Sequence, residues 1–344
     1  MSDHAPRPLD AFILALPETA GSALYGMVDV LASTGTIWRD LAGQDPGLPL
    51  IRPRIVSPLR EPFQCGNGIP VQPELSLAEA TAPGIVILPE MWLGRDDPLA
   101  GRHQGVRDWV LDRHAAGACV YSACSGAVLL ASTGLLDGRE ATSHWGYQDL
   151  FRRHYPRVRF NPQPNLVFAD QSGRIVTAGG TTSWHDLALH IIARHISAGE
   201  ALRIAKVYLL KWHTEGQLPY TNLVRAQPHA DAAVRRAEDW LADHLCDAYA
   251  LAGATAASGI PARSLKRRFR VATGMTMIGY LQNLRIEEAK RLLEDGLTAV
   301  DDVAPAVGYE NAAFFRRIFR RATGLQPGHY RRMFSPFMPA SAPA

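Results

Sequence analysis

The sequence predicts an α/β domain with a doubly wound parallel sheet, followed by an all-α domain with two helix-turn-helix motifs. Short apolar runs alternate with helical patterns over the first two thirds of the chain. The last quarter repeats one pattern of two helices separated by a glycine turn. The predicted divisions are an α/β domain at 8–212, a linker at 213–231, an all-α domain at 232–334 and a flexible tail at 335–344.

Composition and charge are those of a soluble protein. Of the 344 residues, 47% are hydrophobic and 20% are charged, which allows a sizeable core. No apolar window is long enough to span a membrane and the start, MSDHAPRPLD, is polar, so we expect a cytoplasmic protein. Cys65, Cys119, Cys124 and Cys246 form no C-x-x-C pair and no cluster with histidine, which predicts free thiols, no metal and no cofactor.

The first domain alternates predicted strands and helices. Ligands of such sheets bind outside the carboxyl ends of the strands. In order, we expect a strand at 12–16, a helix at 24–31, a strand at 51–56, a hairpin turn at 65–68, a strand at 84–89, a helix around 109–114, a strand at 118–124, a helix ending at Gly134, and two helices at 187–196 and 201–212. The last helix either covers the sheet or forms a dimer contact.

One strand-to-helix junction carries candidate chemistry. It places Cys124 on a sharp turn beside helix N–H groups, an environment that favours thiolate over thiol. Together with His144 and the pair Gly179-Gly180, this junction resembles the class I glutamine amidotransferase-like domains of the PfpI superfamily over about residues 10–200. The resemblance implies a flavodoxin-like fold, with Cys124 as the elbow cysteine and His144 as its partner.

Enzymes of that superfamily add an acidic residue to the cysteine and the histidine. In the family that acid lies six positions before an aspartate, here Asp29, so its position is Ala23 and the carboxylate is missing. Glu18 lies five residues too early to replace it, and Glu90-Met91 stand where the family usually has a glycine pair. We therefore expect an effector pocket and no catalytic residues, although a Cys–His pair alone can act as nucleophile and base.

The expected pocket lies at the strand ends, where tryptophan faces suit a cationic ligand. Each aromatic residue taken alone is more often ordinary core. The predicted pocket residues are Met91, Trp92, Tyr121, Cys124, His144 and Trp145, with Trp184 as a further candidate.

The all-α domain contains two copies of one motif. The first, AASGIPARSLKRRFRVATG, has Leu265 and Phe269 four apart after its turn glycine, and the second, VDDVAPAVGYENAAFFRRIFRRATG, has Phe315 and Phe319. A helix at 280–296 connects them. Over about 80 residues the arrangement resembles the AraC/XylS DNA-binding domain, which implies two recognition helices in successive major grooves, roughly 34 Å apart.

Charge supports a DNA-binding surface over an ordinary solvated helix face. From Arg263 onward the chain has 14 Lys and Arg against 7 Asp and Glu, a net of +7, while the whole chain carries +3. Phosphate contacts are expected from Lys266, Arg268, Arg270, Arg317, Arg320 and Arg321. Base contacts are expected from Arg263, Ser264, Arg267, Asn311, Ala312 and Arg316.

Two positions depart from the family pattern. The first recognition helix is preceded by Ile260-Pro261, so we expect it to start with proline and no side-chain cap. Pro305 falls in the first helix of the second motif, which is predicted to begin with Thr298 as its cap. There the proline is expected to remove one backbone hydrogen bond and to bend the turn.

The two resemblances together imply a sequence-specific DNA-binding transcriptional regulator, an activator, controlled by a small metabolite bound near Cys124. The expected partners are double-stranded promoter DNA, the effector, a second copy of the chain in a homodimer, and RNA polymerase. The alternative is a Cys–His enzyme of the PfpI superfamily, similar to hydratases or deglycases, tethered to DNA. Redox sensing through Cys124 is a third hypothesis.

Overall fold

The computed structural model describes residues 7–81, 84–224 and 229–335. They form two compact units that divide between Gln217 and Leu218. The tail predicted at 335–344 lies outside the described residues, apart from Ser335. None of the described helices combines the length and the hydropathy needed to cross a bilayer.

The first unit is built on a mostly parallel sheet. Its strands are β1 (Leu9–Leu14), β2 (Ile51–Ser57), β3 (Phe63–Cys65), β4 (Ile69–Val71), β5 (Leu75–Ser76), β6 (Ile85–Leu88), β7 (Cys119–Ala123), β8 (Glu140–Ala141), β9 (Arg159–Phe160), β10 (Leu166–Phe168) and β11 (Ile175–Ala178). Seven of them form a sheet in the order β10-β11-β7-β6-β1-β2-β5, parallel except at the β10–β11 edge. The central order β2-β1-β6-β7-β11 is that of a doubly wound flavodoxin-like sheet, which confirms the predicted fold class.

Helices cover both faces of this sheet. They are α1 (Gly21–Ala32), α2 (Ile37–Leu41), α3 (Gln104–Ala115), α4 (Gly126–Ser132), α5 (Gln148–His154), α6 (Trp184–His195) and α7 (Ala198–Val207). Along β1, Ile13 belongs to the core beneath α1 and α6, whereas Phe12 and Leu14 belong to the core beneath α3 and α4. This alternation is the period of two expected of a strand buried on both faces.

The bounds of β1 and α7 differ from those predicted. β1 begins at Leu9 and ends at Leu14, so the predicted strand at 12–16 was placed too late. α7 ends at Val207 and does not reach residue 212, because Leu209 has a left-handed φ of 54° that a helix cannot contain. The hairpin turn at 65–68 is confirmed, since β3 and β4 pair antiparallel around it.

The second unit is all helical. Its helices are α8 (Ala232–Asp243), α9 (Ala250–Ser258), α10 (Ala262–Thr273), α11 (Met277–Asp295), α12 (Val303–Ala306), α13 (Ala312–Thr323) and α14 (Pro327–Phe334). α9 and α10 form the first helix-turn-helix, with Gly259 at φ 71°, and α12 and α13 form the second, with Gly308 at φ 79°. α11 is the predicted connecting helix, and Thr276 caps it by accepting a hydrogen bond from the Gly279 N–H.

The start of the second motif differs from the prediction. α12 is a single turn that begins at Val303, so Thr298 is not its cap. Pro305 lies within the first turn of α12, where backbone N–H groups have no partner inside the helix. The proline therefore removes no helical hydrogen bond, contrary to the expectation from the sequence.

The segment predicted as a linker is anchored at both of its described ends. His213 hydrogen bonds with Asp186 over 3.1 Å on the first unit. In the second unit, the Lys290 ammonium donates to the Thr221 carbonyl over 2.7 Å, and the Leu223 N–H donates to Glu287 over 2.8 Å. Of residues 213–231, only 225–228 lie outside the described residues.

Candidate nucleic-acid interface and effector site

The two recognition helices repeat each other at an offset of fifty positions. They are α10 and α13, and each has twelve residues. Phe269 and Phe319 are fully buried, and each accepts a hydrogen bond at its carbonyl oxygen from the threonine four residues later. The helices end at Gly274 and Gly324, both with left-handed φ. The shared apolar stripe determines which face of each helix points outward.

The outward faces are basic. In α10, Arg263, Lys266, Arg267 and Arg270 are exposed, while Ser264 is half-buried. α10 has Pro261 before its first residue and no side-chain cap, as expected from the sequence. Because these cations form no ion pair with another described residue, their charge is available to an anionic partner.

Arg268 lies on a different side of α10. Its guanidinium group forms two hydrogen bonds, of 2.7 Å and 2.5 Å, with the Asp231 carboxylate. The same carboxylate caps α8 by accepting from the N–H groups of Ala233 and Val234, and Arg268 holds its pKa down to about 2. Arg268 thus holds α10 to the start of α8, and its guanidinium group is engaged within the unit and not on the exposed basic face.

The second recognition helix lines an open basic groove. Asn311 caps α13 by accepting from the Phe314 N–H over 2.9 Å, which leaves its amide NH₂ group to donate elsewhere. The Arg316 guanidinium group donates a hydrogen bond to the Asp301 carboxylate over 2.9 Å, and that of Arg317 lies over the Phe314 ring. The groove is lined by Ala313, Arg316, Arg317, Arg320, Arg321 and Gln326.

Ala312, the first residue of α13, is half-buried and packs against the core of the second unit. The structure therefore brings together Arg316, Arg317, Arg320 and Arg321 on one surface. It leaves Ala312 at the margin of that surface. Guanidinium groups in such a cluster match the geometry of phosphate oxygens.

In the first unit, Cys124 lies directly after β7 with a φ of 52°, a left-handed conformation that is strained for a residue with a side chain. Its backbone is held on both sides, since its N–H donates to the Ala178 carbonyl and its own carbonyl accepts from the Ser143 hydroxyl. The thiol is 2% exposed and donates to a Glu90 carboxyl oxygen 3.5 Å away.

This environment keeps the thiol neutral. Burial raises the pKa of Cys124, and the nearby Glu90 raises it further. The Ser125 N–H at the helix start opposes this rise in the pKa, as the sequence predicted, but burial outweighs it. The sequence placed Glu90 at this site but did not identify it as a partner of the thiol, because the contact forms only where β6 and β7 end side by side.

Ala23, the position to which the resemblance assigns the acid, is a fully buried residue of α1. Glu18 does not fill it, because its carboxylate pairs with Arg102 at 3.0 Å and with His103 at 3.1 Å. His144 accepts a hydrogen bond from the Gly146 N–H at Nδ1, and its ring lies 4.9 Å from that of Trp145. In neutral His144 the proton therefore sits on Nε2.

The other predicted pocket residues are dispersed. Met91 is buried and its N–H donates to the Ser125 hydroxyl, while Trp92 is 56% exposed. Tyr121 lies in the core beneath α6, where its hydroxyl group meets His195 at 2.8 Å, because it alternates with the residues on the opposite face of β7. Trp184 packs on Gly26 of α1. We therefore exclude Tyr121 and Trp184 from the proposed pocket.

Gln217 holds the loop that carries His144. Its amide NH₂ donates to the Thr142 hydroxyl and to the Ser143 carbonyl, and its amide oxygen accepts from the Trp145 N–H. A Cβ on Gly179 would lie 2.4 Å from the Gln217 amide nitrogen, so only glycine leaves room for it. The sequence did not identify Gln217, because it lies inside the predicted linker.

Replacement of Gln217 by alanine is expected to lower the free energy of unfolding of the first unit by about 1–3 kcal/mol, since it leaves buried polar groups without partners. Urea unfolding followed by far-ultraviolet circular dichroism measures the change. Gln44→Ala, at an exposed position, is the matched control and is expected to have no effect. Equal stability of the two variants would contradict the assigned role of Gln217.

Two family models match the chain. A helix-turn-helix domain matches residues 254–333, and the DJ-1/PfpI family matches residues 44–194. Among the described residues, no group of three or more His, Cys, Asp or Glu side chains is placed to hold a metal ion.

Three curated proteins are similar to the chain. The transcriptional regulator GlxA of Rhizobium meliloti is 29% identical over 213 residues, which is 60% of this chain and 63% of GlxA. The regulator CdhR of Pseudomonas aeruginosa is 26% identical over 263 residues, 72% of this chain and 73% of CdhR. The activator RhaR of Yersinia pseudotuberculosis is 40% identical over 80 residues, 23% of this chain and 28% of RhaR.

The fold and the matches define a chain in which a DJ-1/PfpI domain precedes an AraC-type helix-turn-helix domain. This is the architecture of the helix-turn-helix transcriptional regulators GlxA and CdhR. The similarity supports a DNA-binding transcriptional regulator and does not favour a PfpI-type enzyme.

Proposed function

We propose that this protein is a sequence-specific transcriptional activator whose DNA binding is controlled by a small metabolite bound in the first unit. The observation that carries the proposal is the pair of repeated recognition helices, each with a buried apolar stripe and an exposed basic face. We propose further that the protein acts in the cytoplasm as a homodimer that contacts RNA polymerase.

The effector part of the proposal is supported by the side chains that meet at one end of the sheet. Glu90, Cys124 and the His144 loop meet at the carboxyl ends of parallel strands, where doubly wound sheets bind ligands. Gln217, the last residue of the first unit, hydrogen bonds with that loop. A ligand that displaces the loop therefore acts on the start of the chain segment that leads to the second unit.

Hydroxyl-radical footprinting on DNA upstream of the gene and its neighbours tests the DNA-binding geometry. Two recognition helices in successive major grooves are expected to protect two patches on one face of the duplex, about 10 base pairs apart. Protection of a single patch, or of both faces equally, would contradict the proposed use of both motifs.

The thiols offer a test of the regulator against the enzyme. At about pH 8 iodoacetamide is expected to label exposed Cys246 at least about tenfold faster than Cys124, because only thiolate reacts. Burial raises the pKa of both thiols, but Cys124 is also closed off from the reagent and Glu90 raises its pKa further. Mass spectrometry of the peptides measures both rates, with Cys246→Ser to identify the fast site. Preferential labelling of Cys124 in the folded protein would favour an activated nucleophile.

A further inference from the structure

The Glu90 carboxyl group is buried where β6, β7 and β11 end, with the residue 6% exposed. One carboxyl oxygen, Oε1, accepts from the Cys124 thiol over 3.5 Å and from the Thr181 hydroxyl over 3.0 Å. The other oxygen, Oε2, has no hydrogen-bond partner among the described residues. A buried polar atom without a partner is costly, so this oxygen is a candidate acceptor for a ligand.

The groups that act on Glu90 include no cation. Burial raises the pKa of its carboxyl group, and only the hydrogen bonds from Thr181 and Cys124 oppose this. A buried carboxylate is normally stabilised by a positive partner. In the described residues that partner is missing, whereas a bound cation would supply both the charge and the hydrogen-bond donor.

An aromatic residue, Tyr147, lies near Glu90, and two further rings lie near Tyr147. Burial raises the pKa of Tyr147 to about 12, and its neighbours Cys124 and Glu90 contribute to the rise. The His144 ring lies 6.2 Å from the Tyr147 ring and 4.9 Å from the Trp145 ring. Aromatic faces attract cations, and their attraction adds to that of a carboxylate.

We infer that Glu90 is the anchor of the effector site and that its Oε2 accepts a hydrogen bond from a primary ammonium group of the ligand. The inference rests on the proposed function, because it concerns the same effector site. It specifies the ligand class more narrowly than a cation. A quaternary ammonium ion carries no N–H and leaves Oε2 without a partner.

Thermal unfolding of the full chain in n-propylammonium chloride tests this assignment, with tetramethylammonium and sodium chlorides at equal ionic strength. The dependence of the first unit's unfolding midpoint on concentration gives an apparent dissociation constant. The variants are Glu90→Gln, which keeps the shape and loses the charge, and Glu18→Gln, which alters a carboxylate whose charge is already balanced through Oε1 by Arg102. Far-ultraviolet circular dichroism checks that both fold.

The propylammonium ion is expected to stabilise the parent and Glu18→Gln, with the dissociation constant for Glu90→Gln higher by at least about tenfold. Tetramethylammonium is expected to act like sodium. No response of the parent, an equal response of Glu90→Gln, or an equal effect of tetramethylammonium on the parent overturns the inference. The comparison of propylammonium with tetramethylammonium uses only the parent. It therefore tests the inference even if Glu90→Gln does not fold.

DNA binding measured on the same samples separates this inference from the proposed function. A parent that prefers an upstream DNA fragment but does not respond to propylammonium overturns only the ligand class. A parent that binds all DNA fragments alike, both with and without added small metabolites, contradicts the proposed function as a sequence-specific regulator.

Discussion

Phe319→Ala is expected to destabilise the second unit by about 3–5 kcal/mol and to abolish DNA binding. Phe319 is fully buried, with its ring 5.6 Å from Phe315 and 5.4 Å from Tyr330. Its removal leaves a cavity under the second recognition helix, and the loss is a large share of the stability of about 5–15 kcal/mol that is usual for a domain. Urea unfolding and DNA-binding anisotropy measure the two effects.

Phe314→Ala provides the matched control, because Phe314 lies on the same helix and is 36% exposed. Its removal is expected to cost about 1 kcal/mol or less. The first unit serves as an internal reference, since neither substitution changes its core. If the two variants lose the same stability, the buried face of α13 has been assigned to the wrong side of the helix.

Arg267→Ala is expected to weaken binding to the specific operator by about 1–3 kcal/mol and to relax the preference for one base pair. Arg267 is exposed at the centre of α10 and forms no ion pair with another described residue. A guanidinium group at this position is free to donate two hydrogen bonds to a guanine edge. Fluorescence anisotropy on the operator and on single-base variants measures both effects.

The control for charge is Arg291→Ala. It removes the same charge from the same unit, but Arg291 pairs with Glu288 and Asp295 on α11. Operator affinity is expected to change far less than in Arg267→Ala, since exposed ion pairs contribute about 0–1 kcal/mol. Equal losses in the two variants would show that net charge, and not the position of Arg267, determines the affinity.

Features coded in short runs of sequence were predictable. The buried stripe of Leu265 and Phe269 repeats at helical spacing, and its partner stripe repeats fifty residues later, so both recognition helices follow from the pattern alone. The strands β2, β6 and β7 were predicted from short runs of apolar residues. Local periodicity determines which face is buried, and thereby which arginines are exposed.

Contacts between distant segments were not predictable. Glu90 and Cys124 are 34 positions apart, and Gln217 meets the loop at 142–145 from more than seventy positions away. The ion pair of Arg268 was also hidden, because its partner Asp231 lies 37 positions earlier, at the start of another helix. Arg268 was therefore predicted to contact DNA. Pro305 was expected to cost a hydrogen bond because the pattern placed it inside a helix that in fact begins two residues before it.

The central claim is tested most directly by fluorescence anisotropy of the full chain on DNA from upstream of its own and neighbouring genes, against scrambled DNA, at two salt concentrations. A regulator is expected to prefer one upstream fragment and to lose affinity steeply as salt rises, because each phosphate contact releases counterions. Equal, salt-sensitive binding to every fragment, unchanged when small metabolites are added, would contradict sequence-specific regulation.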